Sequence, residues 1–134
     1  MGESAKHMEL VAKARQEAAA IVTDERAAMI QVDSPETTEK PRVGSYCPDV
    51  YYNYDDQLVI GEAKTLDDFA RKHSQEQFAE YLAACAAFPG ESVLIVAVPW
   101  MLSATAKNYF RRHAAERGNA RVVVIDDTMG RWEV

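Results

Sequence analysis

Three ionisable residues at the two ends of one short stretch of chain are spaced so that they could do chemistry together. Asp49 follows Pro48, and Glu62-Ala63-Lys64 comes after an interval of twelve residues. Val50 to Tyr54 and Gln57 to Ala63 are rich in β-forming residues and are separated by Asp55-Asp56, which is a hairpin pattern. A turn centred on Asp55-Asp56 sets Tyr54 opposite Gln57 and, further along the ladder, Asp49 opposite Glu62, with Cβ atoms roughly 5 Å apart. Two opposed carboxylates repel unless something neutralises them, and their hard oxygen donors suit Mg2+ or Mn2+. Lys64 lies two residues past Glu62 and so projects from the same face of its strand. Charges at hairpin ends are commonly solvated. Here, however, Val59, Ile60, Gly61 and Ala63 make a strand that favours burial, where charge is costly unless paired or metal-bound.

The flanking elements must position this triplet. Ser4 to about Thr23 is rich in good helix formers and reads as a long helix. Met8, Val11, Ala18, Ile21 and Val22 form its partial apolar stripe, with Leu10 and Ala14 beside it. Ala28 to Val32 reads as a short strand, and residues 34–44 have the composition of a loop placed where it could gate Asp49. Thr65-Leu66-Asp67-Asp68 resembles a capping box opening a helix that runs to about Phe88, where Pro89-Gly90 stops it. Phe78, Leu82, Cys85 and Ala86 would be its apolar face. Val93 to Val98 is continuously apolar, as a central strand covered on both faces should be. A third helix is expected from Ser103 to Arg117, stopped by Gly118-Asn119, and Val122 to Ile125 is expected to close the domain as a strand. The order is α-β-β-β-α-β-α-β: an α/β fold with a mixed central sheet flanked by helices.

At 134 residues the chain has the size of one domain, and 48% hydrophobic with 27% charged residues is a globular balance that excludes disorder. Its longest apolar run is strand-sized, well short of the roughly 18 residues of a membrane span. The N-terminus carries Glu3 and Glu9 and has no apolar region of the kind a signal peptide needs, so a cytoplasmic protein is expected. Cys47 and Cys85 form no CxxC and are expected as reduced thiols. The net charge of −6 speaks at first against a polyanionic partner. It is unevenly spread. Residues 49–68 carry a local balance of −5 and residues 71–121 one of +3.

Pro48-Asp49 followed by Glu62-Ala63-Lys64 resembles the signature of the PD-(D/E)xK nuclease superfamily, and Gln77-Phe78-Ala79-Glu80-Tyr81 resembles the QxxxY element of several of its branches. Gln77 and Tyr81 share one helix face at i, i+4. The resemblance covers roughly residues 3–98 and implies a restriction-endonuclease-like core. It implies that Asp49, Glu62 and the Ala63 carbonyl hold a Mg2+ or Mn2+ ion, which activates water and stabilises charge developing on a scissile phosphate. Lys64 would position or polarise that water, Gln77 would orient Lys64 or the water, and Tyr81 would contact a phosphate. The pattern also includes an N-terminal acid, for which Glu3 is the first choice and Glu9 the alternative.

The function so implied is a metal-dependent endonuclease acting on DNA, with branched or structured DNA a suitable substrate for so small a chain. A homodimer is expected, because cutting both strands of a symmetric substrate needs two sites. The alternative is a catalytically silent nuclease-fold module that binds DNA or a protein partner. Arg71, Lys72 and His73, and Lys107, Arg111 and Arg112 at helical spacing, are candidate DNA-backbone contacts, although a solvated helix face is the commoner meaning of such patterns. His7, His73 and His113 lack zinc-ligand spacing. Trp100, Met101 and Leu102 read as core or interface packing.

Overall fold

The computed structural model describes residues 4–34, 36 and 38–134. Its element order is α1 (Ala5–Ile21), β1 (Gln31–Val32), β2 (Val50–Tyr54), β3 (Gln57–Ala63), α2 (Lys72–Ala87), β4 (Glu91–Val98), α3 (Ser103–Arg112), β5 (Arg121–Asp126) and β6 (Arg131–Glu133). Six strands form one open sheet in the order of the chain. β3, β4 and β5 run parallel at its centre, while β1, β2 and β6 pair antiparallel on the flanks. The chain is therefore an α/β protein with a mixed sheet.

Burial alternates along the central strands and splits the core in two. Val59, Val93, Ile95, Ala97 and Val123 face α1, packing with Leu10, Val11, Ala14 and Ala18. Leu58, Ile60, Leu94, Val96 and Val124 face the opposite side with Phe78, Leu82, Cys85 and Phe110. Two successive crossovers in the same direction and of the same hand must cover the same face. That puts α2 and α3 together and leaves the other side to α1. Small residues let α1 lie close. An added Cβ on Gly61 would stand 2.9 Å from Val50 Cβ and 3.5 Å from Ala14 Cβ.

The hairpin has the expected register, with Tyr54 opposite Gln57 and Val50 opposite Gly61. Its turn places both Asp55 (φ 54°) and Asp56 (φ 62°) in the left-handed region that tight two-residue hairpins require.

Several expectations need correction. The buried stripe of α1 is Leu10, Val11, Ala14 and Ala18, and Met8 is exposed. In place of a strand from Ala28, residues Asp24–Met29 form a 3-10 helix, and only Gln31–Val32 pair with β2. The Ala27-Ala28 pair favours a helical turn, and a two-residue edge strand offers little to oppose it. The Thr65 hydroxyl donates to the Asp68 carboxylate at 3.1 Å rather than capping a helix, and α2 begins only at Lys72. Between them the chain drops Phe69 into the core. Ser74 Oγ and Gln75 Nε2 donate to the Asp68 and Phe69 carbonyls, side-chain bonds that compete with helical ones.

The third helix ends at Arg112 instead of Arg117, where His113 Nδ1 meets the Tyr109 carbonyl at 2.8 Å and a short 3-10 turn follows. Gly118, at φ 59°, supplies the stop. The sheet closes on β6, a strand too short to show as a periodic run. Its turn is tied by Asp126, whose Oδ1 accepts from Thr128 N, Thr128 Oγ1 and Gly130 N. Both cysteines are free, Cys47 half-buried and Cys85 buried. Burial pushes the Cys85 thiol up to about 12.

Candidate active site at the carboxyl ends of the parallel strands

The end of β3 and the start of β2 lie side by side, and α2 crosses over the face on which Glu62 and Lys64 project. Asp49, Glu62, Lys64 and Gln77 are all buried although each is polar or charged, and Tyr81 is fully buried. Their side chains close into a ring. Lys64 Nζ donates to Gln77 Oε1 at 2.5 Å, Gln77 Nε2 donates to Tyr81 Oη at 3.1 Å, and Tyr81 Oη donates to Glu62 Oε1 at 3.1 Å. Glu62 Oε2 returns to Lys64 Nζ at 3.6 Å. Asp49 joins through its backbone neighbour, since Ala63 N donates to Asp49 Oδ2 at 2.9 Å.

Five residues from three elements thus share one polar cluster inside an otherwise apolar layer. Such a cluster is expensive to bury, and its compensation is that every member named has a partner. Burial is the main force raising the Glu62 carboxyl well above its ordinary range; the Asp49 charge adds to it and the Lys64 ammonium opposes it. A hydrogen bond to Asp49 raises the carboxyl further, and one from Tyr81 opposes the rise. Tyr81 is raised as well, first by burial and then by the Glu62 charge. Perturbation by burial together with a like charge marks these residues as candidates for a functional site.

The structure also brings up a residue that the sequence reading set aside. His7, in the first turn of α1, holds Nε2 3.4 Å from Asp49 Oδ2. Zinc-ligand spacing along the chain does not single it out, and no periodicity reveals that the start of α1 abuts the start of β2. An open pocket of about 230 Å³ lies beside it, lined by Ser4, His7, Thr65 and Asp68.

Other expected residues fall elsewhere. Glu3 lies outside the described residues. Glu9 is exposed and pairs with Lys6, because two residues carry it about 200° around the helix from His7. The Tyr81 hydroxyl is committed inward to Glu62 and Gln77, so it orients neighbours and is not free to reach a phosphate. Arg71 and Lys72 stand exposed at the start of α2, and the His73 ring packs edge-on to Tyr46. Lys107 sits over the Trp132 ring at 4.0 Å. Arg111 and Arg112 occupy the last turn of α3, a helix that starts at the site end of the sheet and runs away from it.

Among the described residues no three His, Cys, Asp or Glu side chains converge on one point that would hold a metal ion. The Asp49-Glu62 pair nevertheless suits a hard divalent cation. It offers oxygen donors in a buried setting, and the Asp49 repulsion that adds to burial in raising Glu62 is what a cation would relieve. Comparisons of the chain with protein-family models, curated proteins and solved structures find no match.

Proposed function

We propose that the chain is a metal-dependent endonuclease of the PD-(D/E)xK kind, hydrolysing phosphodiester bonds of DNA on a restriction-endonuclease-like core. One observation carries the reading: the buried ring joining Lys64, Gln77, Tyr81 and Glu62, with Asp49 against it. A core would not keep two acids and an ammonium for stability alone, since apolar residues of similar volume usually do as well.

In this reading Asp49 and Glu62 hold Mg2+ or Mn2+, with the Ala63 carbonyl as a further donor. The ion supplies the positive charge that activates water and offsets charge on the phosphate. Lys64 lies beside Glu62 and offers its remaining protons to the attacking water or to a phosphate oxygen. Gln77 holds the Lys64 ammonium in place, and Tyr81 fixes both Gln77 and Glu62, so these two are positioning residues. His7 steadies Asp49. Burial of the cluster keeps its dipoles oriented before substrate arrives, which is where electrostatic catalysis gets its strength.

The test is incubation of supercoiled plasmid, single-stranded DNA and a four-way junction with the purified protein in Mg2+, in Mn2+ and in EDTA. Cutting should need the metal, and Asp49→Asn and Lys64→Ala should each reduce it by at least about a hundredfold while leaving a folded protein by circular dichroism. Undiminished cutting by both variants would overturn the site. DNA binding without cutting under any metal would instead favour a catalytically silent module.

A further inference from the structure

Trp100 and Met101, whose sequence context reads as core or interface packing, are 57% and 53% exposed, and Leu66 nearby is 49% exposed. These are three of the most exposed large apolar side chains in the described structure, and they share one rim. β3 and β4 run parallel with Ala63 beside Ala97, and Lys64 N donates to the Ala97 carbonyl. Trp100 comes three residues after Ala97, so along the strand direction it stands on the order of 10 Å past the Lys64 backbone. Leu66 follows Lys64 by two residues on the adjoining segment. The exposed apolar rim therefore begins where the candidate site ends.

The backbone that carries the indole is tied down. Trp100 opens a 3-10 turn in which Leu102 N donates to the Pro99 carbonyl at 2.9 Å and Ser103 Oγ donates to the Trp100 carbonyl at 2.8 Å. Trp100 N donates to Asp127 Oδ1 at 2.9 Å, and Asp127 Oδ2 takes Lys6 Nζ at 2.9 Å. Lys6 is the residue before His7. The same strap that fixes the backbone under Trp100 thus fixes the first turn of α1 against the site, and it sets a cation between them.

An exposed aromatic face on a fixed backbone, flanked by a thioether and a cation and one or two nucleotide lengths from the proposed phosphate-cleaving centre, suits an unpaired base: the ring stacks and the cation meets the backbone. A paired base inside a duplex has no exposed face to offer it. We propose that Trp100, supported by Met101 and Leu66, is a stacking shelf for an unpaired base next to the scissile phosphate, so that the substrate is single-stranded or carries unpaired nucleotides at the cut. This deepens the nuclease reading and rests on it for the phosphate's position.

The test measures binding separately from cutting. Fluorescence anisotropy, without divalent metal, would compare a labelled thymidine oligonucleotide of about 12 nucleotides with a blunt duplex of equal length. The single strand should bind more tightly. Trp100→Ala should weaken it by about fivefold or more, Trp100→Phe should keep most of the affinity, and duplex binding should be unmoved by either. Equal affinity of wild type and Trp100→Ala for the single strand, or no single-strand binding at all, would overturn the shelf. So would a change from dimer to monomer on sedimentation of Trp100→Ala, which would make this rim an interface between copies. Trp100-dependent binding by a protein that cuts nothing would keep the shelf and sink the nuclease reading. Cutting that is lost in Asp49→Asn but unchanged in Trp100→Ala on single strands would do the reverse.

Discussion

Glu62 is the residue on which the site's chemistry turns. A carboxyl raised in the folded state binds a proton that the unfolded chain has already released, so it contributes stability below its ordinary value of 4.5, and that contribution is lost as pH rises toward the folded value. Glu62→Gln removes the titration while keeping the shape and the acceptor for Tyr81. In metal-free buffer the stability difference between wild type and this variant should grow in the variant's favour from about pH 5 to pH 8. The growth is about 1.4 kcal/mol for each unit by which the carboxyl is raised. Adding Mn2+ at pH 8 should raise the melting temperature of the wild type and leave Glu62→Gln nearly unmoved, because a cation takes the place of the proton only where the oxygen can ionise. Parallel pH profiles for the two proteins would show that Glu62 is not held protonated.

At the scale of elements, the site depends on how closely α1 and the hairpin approach each other. Gly61 lies one residue before Glu62, and the space where its side chain would sit is filled by Val50 and Ala14. Gly61→Ala should cost about 1–3 kcal/mol in denaturant unfolding, since the helix must lift and His7 with it. Asp56→Gly should instead add about 1 kcal/mol, by relieving a left-handed backbone at a residue outside the ring. If Gly61→Ala were neutral, the helix would have room to spare and its first turn would not be set by packing.

The hairpin was legible in the sequence because its period of two and its turn residues specify a register, and that register alone brings Asp49 to Glu62. The central strand Val93 to Val98 was legible for the same local reason, and all of it is buried. What could not be read was decided by partners distant in sequence. The delayed start of α2 follows from Phe69 entering the core, the place of His7 from the docking of α1, and the exposure of Trp100 from where β4 happens to end. QxxxY gave the right helix face, but the direction in which the Tyr81 hydroxyl points depends on Glu62, nineteen residues earlier.

For the whole molecule, the net charge of −6 and the basic residues around the site act against each other. Lys6, Arg71 and Lys72 are exposed cations on the helices that flank the site, and each lies within 4 Å of a carboxylate, the separations being 2.9, 3.9 and 3.8 Å. Titration of single-strand affinity against salt should therefore give a slope no steeper than about −2, the value for three phosphates fully neutralised. A much steeper slope would mean that Arg111 and Arg112 also take part, and that the substrate wraps α3. We propose that the protein acts as a dimer. The sheet's outer strands are poor surfaces for joining two copies, for β1 has two residues and β6 carries Arg131 and Glu133 paired to each other and to neighbours. Among the described residues no helix is long and apolar enough to cross a membrane.

Having both crossovers on one face has a consequence for the order in which the molecule comes apart. α2 and α3 are each threaded between strands and cannot leave without breaking the sheet. α1 is not a crossover between strands of the sheet, and it is the main cover over Val59, Ile95, Ala97 and Val123. It can swing away while the six strands stay paired. That first opening would uncover an apolar sheet face and withdraw His7 from Asp49 in the same movement, so protection of the core and readiness of the site are one event.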